Sequence, residues 1–83
     1  MKYQIFITQK AKKDLKKLDK VVLKKIYKKL QQLQYSPFKN SRKLISSKIG
    51  DYRYRIGNYR VIFNLKNKKI TILRIGHRSK IYR

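Results

Sequence analysis

Apolar residues recur every three or four positions in the first part of the chain, and lysine fills most positions between them. This spacing is the stripe of an amphipathic helix. Its members are Ala11, Leu15, Leu18, Val22, Ile26, Leu30 and Leu33. Thr8 and Asp19 are typical N-cap residues, so the pattern predicts a helical hairpin over about Gln9–Leu18 and Lys20–Gln34. One long helix is the alternative, because the stripe passes Asp19 without a change of phase.

The helical pattern ends at Ser36-Pro37, because proline disfavours helix in the residue before it. Two β-prone runs follow, Tyr52–Ile56 and Tyr59–Leu65, separated by Gly57-Asn58. This is the signature of a β-hairpin with a two-residue loop, and glycine in the first loop position suits a type II′ turn.

The hairpin register predicts two unlike faces. Arg55 lies opposite Arg60, and period-2 alternation then separates the side chains. The apolar face carries Tyr52, Tyr54, Ile56, Tyr59, Val61, Phe63 and Leu65, and the other face carries Arg53, Arg55, Arg60, Ile62 and Asn64. We expect the apolar face to pack on the helices.

Two more strands are predicted. Residues 3–7 form a short β-prone run, and residues 69–75 are apolar on both alternations, which indicates a strand covered on both sides. A two-residue loop before this last strand places Arg74 opposite Val61, and a three-residue loop places it opposite Arg60. Residues 39–50 read as a connection anchored by Leu44 and Ile45. The whole predicts one α+β domain over residues 1–83, with an N-terminal strand and a two-helix hairpin on a mainly antiparallel C-terminal sheet.

The net charge of the chain indicates what kind of partner it binds. The 83 residues hold 25 Lys plus Arg against 3 Asp plus Glu, a net charge of +22, while 41% are apolar, which indicates a folded domain rather than a basic tail. Such an excess points to nucleic acid, an anionic membrane or an acidic protein. All seven arginines fall at or after Arg42, whereas eleven of the eighteen lysines precede residue 30.

The residue inventory excludes several chemistries. There is no cysteine and one histidine, so thiol catalysis, disulfides and a metal site are not expected, and no cofactor is predicted. The first residues are too short an apolar stretch for a signal peptide, and no run reaches the length of a membrane span. We expect a cytoplasmic protein with no membrane partner.

The opposed arginines are the first sign of a site. Like charges directly opposite on a sheet cost about 0.2–1 kcal/mol, yet Arg55 faces Arg60 with Arg53 beside them. Guanidinium groups are placed this way where they converge on phosphate oxygens, although three solvent-exposed arginines on an open face are the alternative. The last eight residues add a second cluster, which contains His77, Arg78, Lys80, Tyr82 and Arg83.

The run from Gly50 to Phe63, with Ile75-Gly76-His77-Arg78 and Ile81-Tyr82, resembles the RelE/ParE family of toxins from toxin–antitoxin systems. The resemblance implies an mRNA interferase that cleaves mRNA in the ribosomal A site and is inhibited by a cognate antitoxin. DNA would be reached only through the antitoxin. Members of the ParE branch instead inhibit DNA gyrase. The ending His77-Arg78, with Tyr82 four residues on, resembles the RelE branch more closely.

By position in that family, Arg53 and Arg55 match the basic pair of the first hairpin strand, and Arg60 matches the arginine of its Tyr-Arg pair. Arg78 matches the arginine after the last long strand, and Tyr82 the tyrosine near the C-terminus. Arginine in place of lysine at the basic pair weakens any role there as a general base, because guanidinium stays protonated.

RNA carries its own nucleophile, the 2′-hydroxyl, so cleavage needs a base, an acid and donors that hold charge on the phosphate. We expect Arg60 and Arg78 to stabilise that charge and Tyr82 or His77 to move protons. Tyr82 stacking on a base is the alternative. The expected RNA-binding residues are Arg53, Arg55, Lys80 and Arg83. A gyrase inhibitor and a non-catalytic RNA- or ribosome-binding module are the other functions compatible with the chain.

Overall fold

The computed structural model describes residues 2–39, 41–44 and 50–81. It contains two helices and five strands in the α+β arrangement that the sequence predicts. In chain order these are β1 (Gln4–Ile7), α1 (Gln9–Lys16), α2 (Lys20–Tyr35), β2 (Ser41–Lys43), β3 (Tyr52–Ile56), β4 (Tyr59–Lys66) and β5 (Lys69–His77).

Both predicted helix starts are confirmed by their capping bonds. The Ala11 amide donates to the Thr8 side-chain oxygen at 3.2 Å, and the Val22 amide donates to the Asp19 carboxylate at 2.9 Å. Asp19 has an extended backbone, so the chain leaves helical geometry there and forms a hairpin rather than one long helix. The second helix ends at Tyr35, directly before Ser36-Pro37.

The five strands form one sheet in the order β1-β5-β4-β3-β2. β1 runs parallel to β5, and the other neighbours are antiparallel. The β3–β4 hairpin has the predicted register, with Ile56 opposite Tyr59 and Arg55 opposite Arg60. Gly57 in its turn has φ +56°, a conformation that glycine adopts without steric cost.

The predicted partners of Arg74 are both wrong. The β4–β5 turn has two residues, Asn67 and Lys68, with φ of 52° and 62°, which is the pattern of a type I′ turn. A β-bulge in β5 between the partners of Ile62 and Phe63 then adds one residue, Leu73. Arg74 therefore lies opposite Ile62 rather than Val61 or Arg60.

The predicted connection between α2 and β3 contains a strand that the sequence did not indicate. β2 pairs with β3 at the outer edge of the sheet, and the Leu44 amide donates to the Asp51 carbonyl at 2.8 Å. Ile45, the other predicted anchor, lies outside the described residues. Ser-Arg-Lys has no apolar alternation, so β2 is set by its backbone pairing alone.

The helices cover one face of the sheet. Their buried stripe packs on Val61, Phe63 and Ile72, all with 0% exposure. Tyr52 stacks on the Phe63 ring at 5.3 Å between centroids. On the opposite face Gly50 passes so close that a Cβ there would lie 2.5 Å from Ile62. A side chain at position 50 would push this segment off the sheet.

Candidate nucleic-acid interface

Arginines gather on the face of the sheet that the helices leave uncovered. In one cross-strand row Arg42 of β2 lies opposite Arg53 of β3, and Arg53 lies opposite Ile62. In the next row Arg55 lies opposite Arg60. Cross-strand partners share a face, and residues two apart on a strand do too. The four arginines at positions 42, 53, 55 and 60, here called the basic face, therefore lie on one side of three adjacent strands.

Arg60 is the buried member of the basic face. Its side chain is 5% exposed, and Nη1 donates to the carbonyls of Gly57 and Tyr59, each at 2.9 Å. These bonds hold the guanidinium beneath the β3–β4 turn, whereas the opposed Arg55 is exposed. The pair therefore combines a buried guanidinium held by the turn with a solvent-exposed one that an anion can reach.

The register places His77 on the other side of the sheet. His77 pairs with Tyr59, whose ring meets the imidazole edge-on at 5.5 Å, and Tyr59 packs against the core. The Ser79 amide donates to Nδ1 at 3.2 Å, so the proton of the neutral ring lies on Nε2. The structure thus separates the His77 ring from the side chains of Arg55 and Arg60.

Arg78 lies at the same end of the sheet as the opposed arginine pair. Its amide donates to the Asn58 carbonyl at 2.8 Å, which ties the segment after β5 to the β3–β4 turn. The side chains of Arg78 and Lys80 are exposed, and Ile81 is buried at 3% exposure. Tyr82 and Arg83, both predicted site residues, lie outside the described residues.

A partly buried ion pair joins α1 to β5 beyond the end of β1. The Arg74 guanidinium donates to Asp14 at 2.8 and 3.2 Å, and the Ile75 amide donates to the same carboxylate at 3.0 Å. Burial raises the pKa of Asp14, but the bonds from Arg74 and Ile75 and the charges of Arg74 and Lys17 outweigh it, so the pKa lies below its usual value. This pair lines a cleft of about 310 Å³ that also contains Tyr59 and His77.

Arg42 is the member of the basic face that sequence reasoning missed. With Arg55 and the turn residues Gly57 and Asn58 it lines a hollow of about 570 Å³. The clustering of arginines from position 42 onward was visible in the sequence. The side of the sheet on which Arg42 lies was not, because β2 itself was not predicted.

Within residues 2–39, 41–44 and 50–81, no group of three or more His, Cys, Asp or Glu side chains is placed to hold a metal ion. Nor does either helix have the length and apolar character needed to cross a membrane.

Comparison with known proteins shows which family the chain matches. The family model described as the ParE toxin of the type II toxin–antitoxin system parDE matches residues 5–82. No curated protein shows significant sequence similarity.

Solved toxin structures share the fold over nearly the whole chain. The toxin–antitoxin complex RelBE2 from Mycobacterium tuberculosis contains a chain with TM-score 0.85 and 25% identity, which covers 93% of this chain and 99% of that one. The archaeal RelE–RelB complex from Pyrococcus horikoshii has TM-score 0.75 and 33% identity, with coverage of 96% and 99%. The intact E. coli RelBE complex, at 22% identity and TM-score 0.74 with coverage of 90% and 95%, is similar in fold.

Proposed function

Because the chain belongs to the ParE toxin family of type II toxin–antitoxin systems, we propose that it is a RelE-type mRNA interferase, a metal-independent endoribonuclease that cleaves mRNA in the ribosomal A site. The observation that carries this proposal is the basic face beside Arg78. The guanidinium groups of Arg42, Arg53 and Arg55 lie on two strands, beside the buried Arg60 of a third and Arg78 at the adjoining turn, and they form a surface suited to the backbone of a single-stranded RNA.

The proposed reaction uses the 2′-hydroxyl of the substrate. Its oxygen attacks the adjacent phosphorus as a base takes the proton. The bond from phosphorus to the 5′-oxygen breaks as an acid donates a proton to that oxygen, which leaves a 2′,3′-cyclic phosphate and a 5′-hydroxyl. Negative charge builds on the phosphate oxygens, where Arg60 and Arg78 stabilise it. Arg53 and Arg55, with Lys80 and Arg83, bind and orient the backbone.

Tyr82 is the proposed proton-transfer residue. The other proposed site residues besides His77 are arginines and Lys80, and arginine keeps its proton at working pH. The position of His77 beside Tyr59 supports a different role for that ring, which is to order the turn at residues 78–81 through its bond with Ser79. His77 is therefore proposed as a positioning residue.

A cognate antitoxin is the proposed protein partner. The similar M. tuberculosis, P. horikoshii and E. coli structures are all toxin–antitoxin complexes. A net charge of +22 favours an acidic partner and speeds its association, so binding should weaken as salt is added.

Gyrase inhibition is the second candidate, since the matching family model is that of ParE. It requires no proton transfer, so it predicts that Tyr82→Phe is as toxic as the parent. The two candidates therefore separate at one residue.

The test is primer extension on a defined mRNA in a purified translation system. The parent should give discrete cuts within the reading frame, and Arg78→Gln and Tyr82→Phe should slow them about 10²–10⁴-fold. Lys28→Gln, exposed on α2, removes the same charge far from the basic face and should cut like the parent. Arg60→Ala is informative only with a thermal unfolding control, because it also removes two bonds to the turn.

Cuts by Tyr82→Phe at the parental rate would remove that residue from the mechanism. If the parent makes no cut on translated mRNA but blocks DNA supercoiling, the protein is a gyrase inhibitor. Blocked translation without cuts would identify a ribosome-binding module.

A further inference from the structure

Arg42 and Lys43 are adjacent residues of the edge strand β2, and their cross-strand partners differ in character. Directly across the strand pair Arg42 faces Arg53, and the next residue, Lys43, faces Tyr52. Alternation therefore places Arg42 on the basic face and Lys43 on the side that carries the helices. Both side chains are exposed.

Protection of the sheet edge does not explain which residue occupies position 42. Charged side chains on an edge strand discourage pairing with other chains, and Lys43 meets that need without facing an arginine. Arg42 instead opposes a like charge, an arrangement that costs about 0.2–1 kcal/mol.

The hollow beside Arg42 is lined by two cationic side chains. It measures about 570 Å³, and Arg42 and Arg55 line it from neighbouring strands, together with Ser41, Gly57 and Asn58. Neighbouring strands lie about 4.8 Å apart, and residues two apart on a strand are separated by about 6.6 Å. Arg42 and Arg55 can therefore reach one phosphate from two sides, and this phosphate would lie farther toward the sheet edge than one held by Arg60.

We propose that Arg42 is an RNA-binding residue that, with Arg55, holds a backbone phosphate of single-stranded RNA in this hollow, next to the phosphate that is cleaved. This inference rests on the proposed function for its substrate class. It extends the RNA footprint by one strand, to the edge of the sheet. Arg42 acts on affinity and register and takes no part in proton transfer.

The test compares two adjacent charge removals, Arg42→Gln and Lys43→Gln. The probe is a single-stranded 2′-O-methyl oligoribonucleotide, which lacks the 2′-hydroxyl nucleophile and is not cleaved. Binding is followed by fluorescence anisotropy from 50 to 300 mM salt. Arg42→Gln should raise Kd roughly 3- to 10-fold and reduce the log–log salt slope by about 0.7, the value for one lost phosphate contact on a single strand.

Lys43→Gln has the same net charge as Arg42→Gln, but its log–log salt slope should equal that of the parent. Thermal unfolding of both variants checks that the fold is intact. Equal slopes for the two variants would overturn the proposal, as would a parent that does not bind the oligonucleotide. A poly-glutamate peptide is the second probe, and if Arg42→Gln weakens only that complex, the surface recognises an acidic protein and the RNA assignment is wrong.

The binding test is independent of the cleavage test. A parent that makes no cuts in the primer-extension assay, yet binds the oligonucleotide through Arg42, would refute the nuclease and keep the phosphate site. Cleavage by the parent, combined with identical salt slopes for Arg42→Gln and Lys43→Gln, would support the nuclease and refute the phosphate site.

Discussion

The two faces of the sheet carry side chains of opposite character. On the helix side, Val61, Phe63 and Ile72 have 0% exposure and pack with apolar residues of both helices. On the other side, like charges stand directly opposite one another, as at Arg42–Arg53 and Arg55–Arg60. Burial on one face stabilises the fold by about 25 cal/mol per Å² of apolar surface, while repulsion on the other opposes it. One face therefore supports the fold, and the other brings like charges together where a negatively charged ligand would bind favourably.

The largest expected effect lies on the helix side. Phe63→Ala removes a fully buried ring that stacks on Tyr52, and it should lower the free energy of unfolding by about 3–5 kcal/mol. Urea unfolding followed by circular dichroism measures the change. A loss below about 1 kcal/mol would mean that the helix side is not the main source of stability.

Asp14→Asn tests the contact that joins the helix layer to the edge of β5. At pH 7 it should cost about 1–3 kcal/mol, because Arg74 and the Ile75 amide lose a charged acceptor. The pKa of Asp14 is depressed in the folded state, so its stabilisation is full above the unfolded pKa near 4 and is lost as pH falls through the folded pKa.

The stability difference between the parent and Asp14→Asn should therefore be largest at pH 7 and shrink progressively as pH falls below about 4. Urea titrations at pH 7 and below about pH 4 provide the measurement. A stability difference that does not change with pH would show that the contact acts through packing rather than charge.

Lys68→Gly changes neither face and gives a reference for backbone strain. Lys68 has φ 62° in a type I′ turn, where a side chain is unfavourable and glycine is not. The substitution should raise the free energy of unfolding by about 0.5–1 kcal/mol. Thermal unfolding detects this gain, and a loss of stability would show that the Lys68 side chain contributes more than its backbone costs.

Arg55→Thr should separate stability from binding. Removing one of two opposed cations should stabilise the hairpin by about 0.2–1 kcal/mol and weaken binding of the 2′-O-methyl oligoribonucleotide. Lys66→Thr is the matched control, because Lys66 faces Lys69 at the other end of β4. It should give the same small gain in stability with unchanged RNA affinity. Equal loss of affinity in both variants would mean that only net charge matters.

The sequence was sufficient for the elements whose signal is local. The helical stripe, the caps at Thr8 and Asp19, and the Gly57-Asn58 loop each act within a few residues, and the structure confirms all of them. The loop also set the opposition of Arg55 and Arg60, which is the centre of the candidate site. Local patterning thus accounts for most of the fold and for the inner part of the basic face.

Features that depend on pairing between distant segments were not predictable. β2 has no apolar pattern of its own, so Arg42 could not be placed on a face. The bulge at Leu73 shifts the last strand by one residue relative to β4, and this shift decides that His77 pairs with Tyr59. A one-residue shift exchanges the two faces of a strand, so the separation of His77 from the basic face required the structure.

The parallel pairing of β1 with β5 determines when the sheet can be completed during synthesis. The Gln4 amide donates to the Lys68 carbonyl at 3.0 Å, and Ile7 lies opposite Ile72. During synthesis, β1 leaves the ribosome long before its partner exists, and contacts so distant in sequence form slowly. The helical hairpin can form early, but its apolar stripe has no sheet to cover until β3, β4 and β5 emerge. The nascent chain therefore cannot complete the five-stranded sheet until β5 has been released.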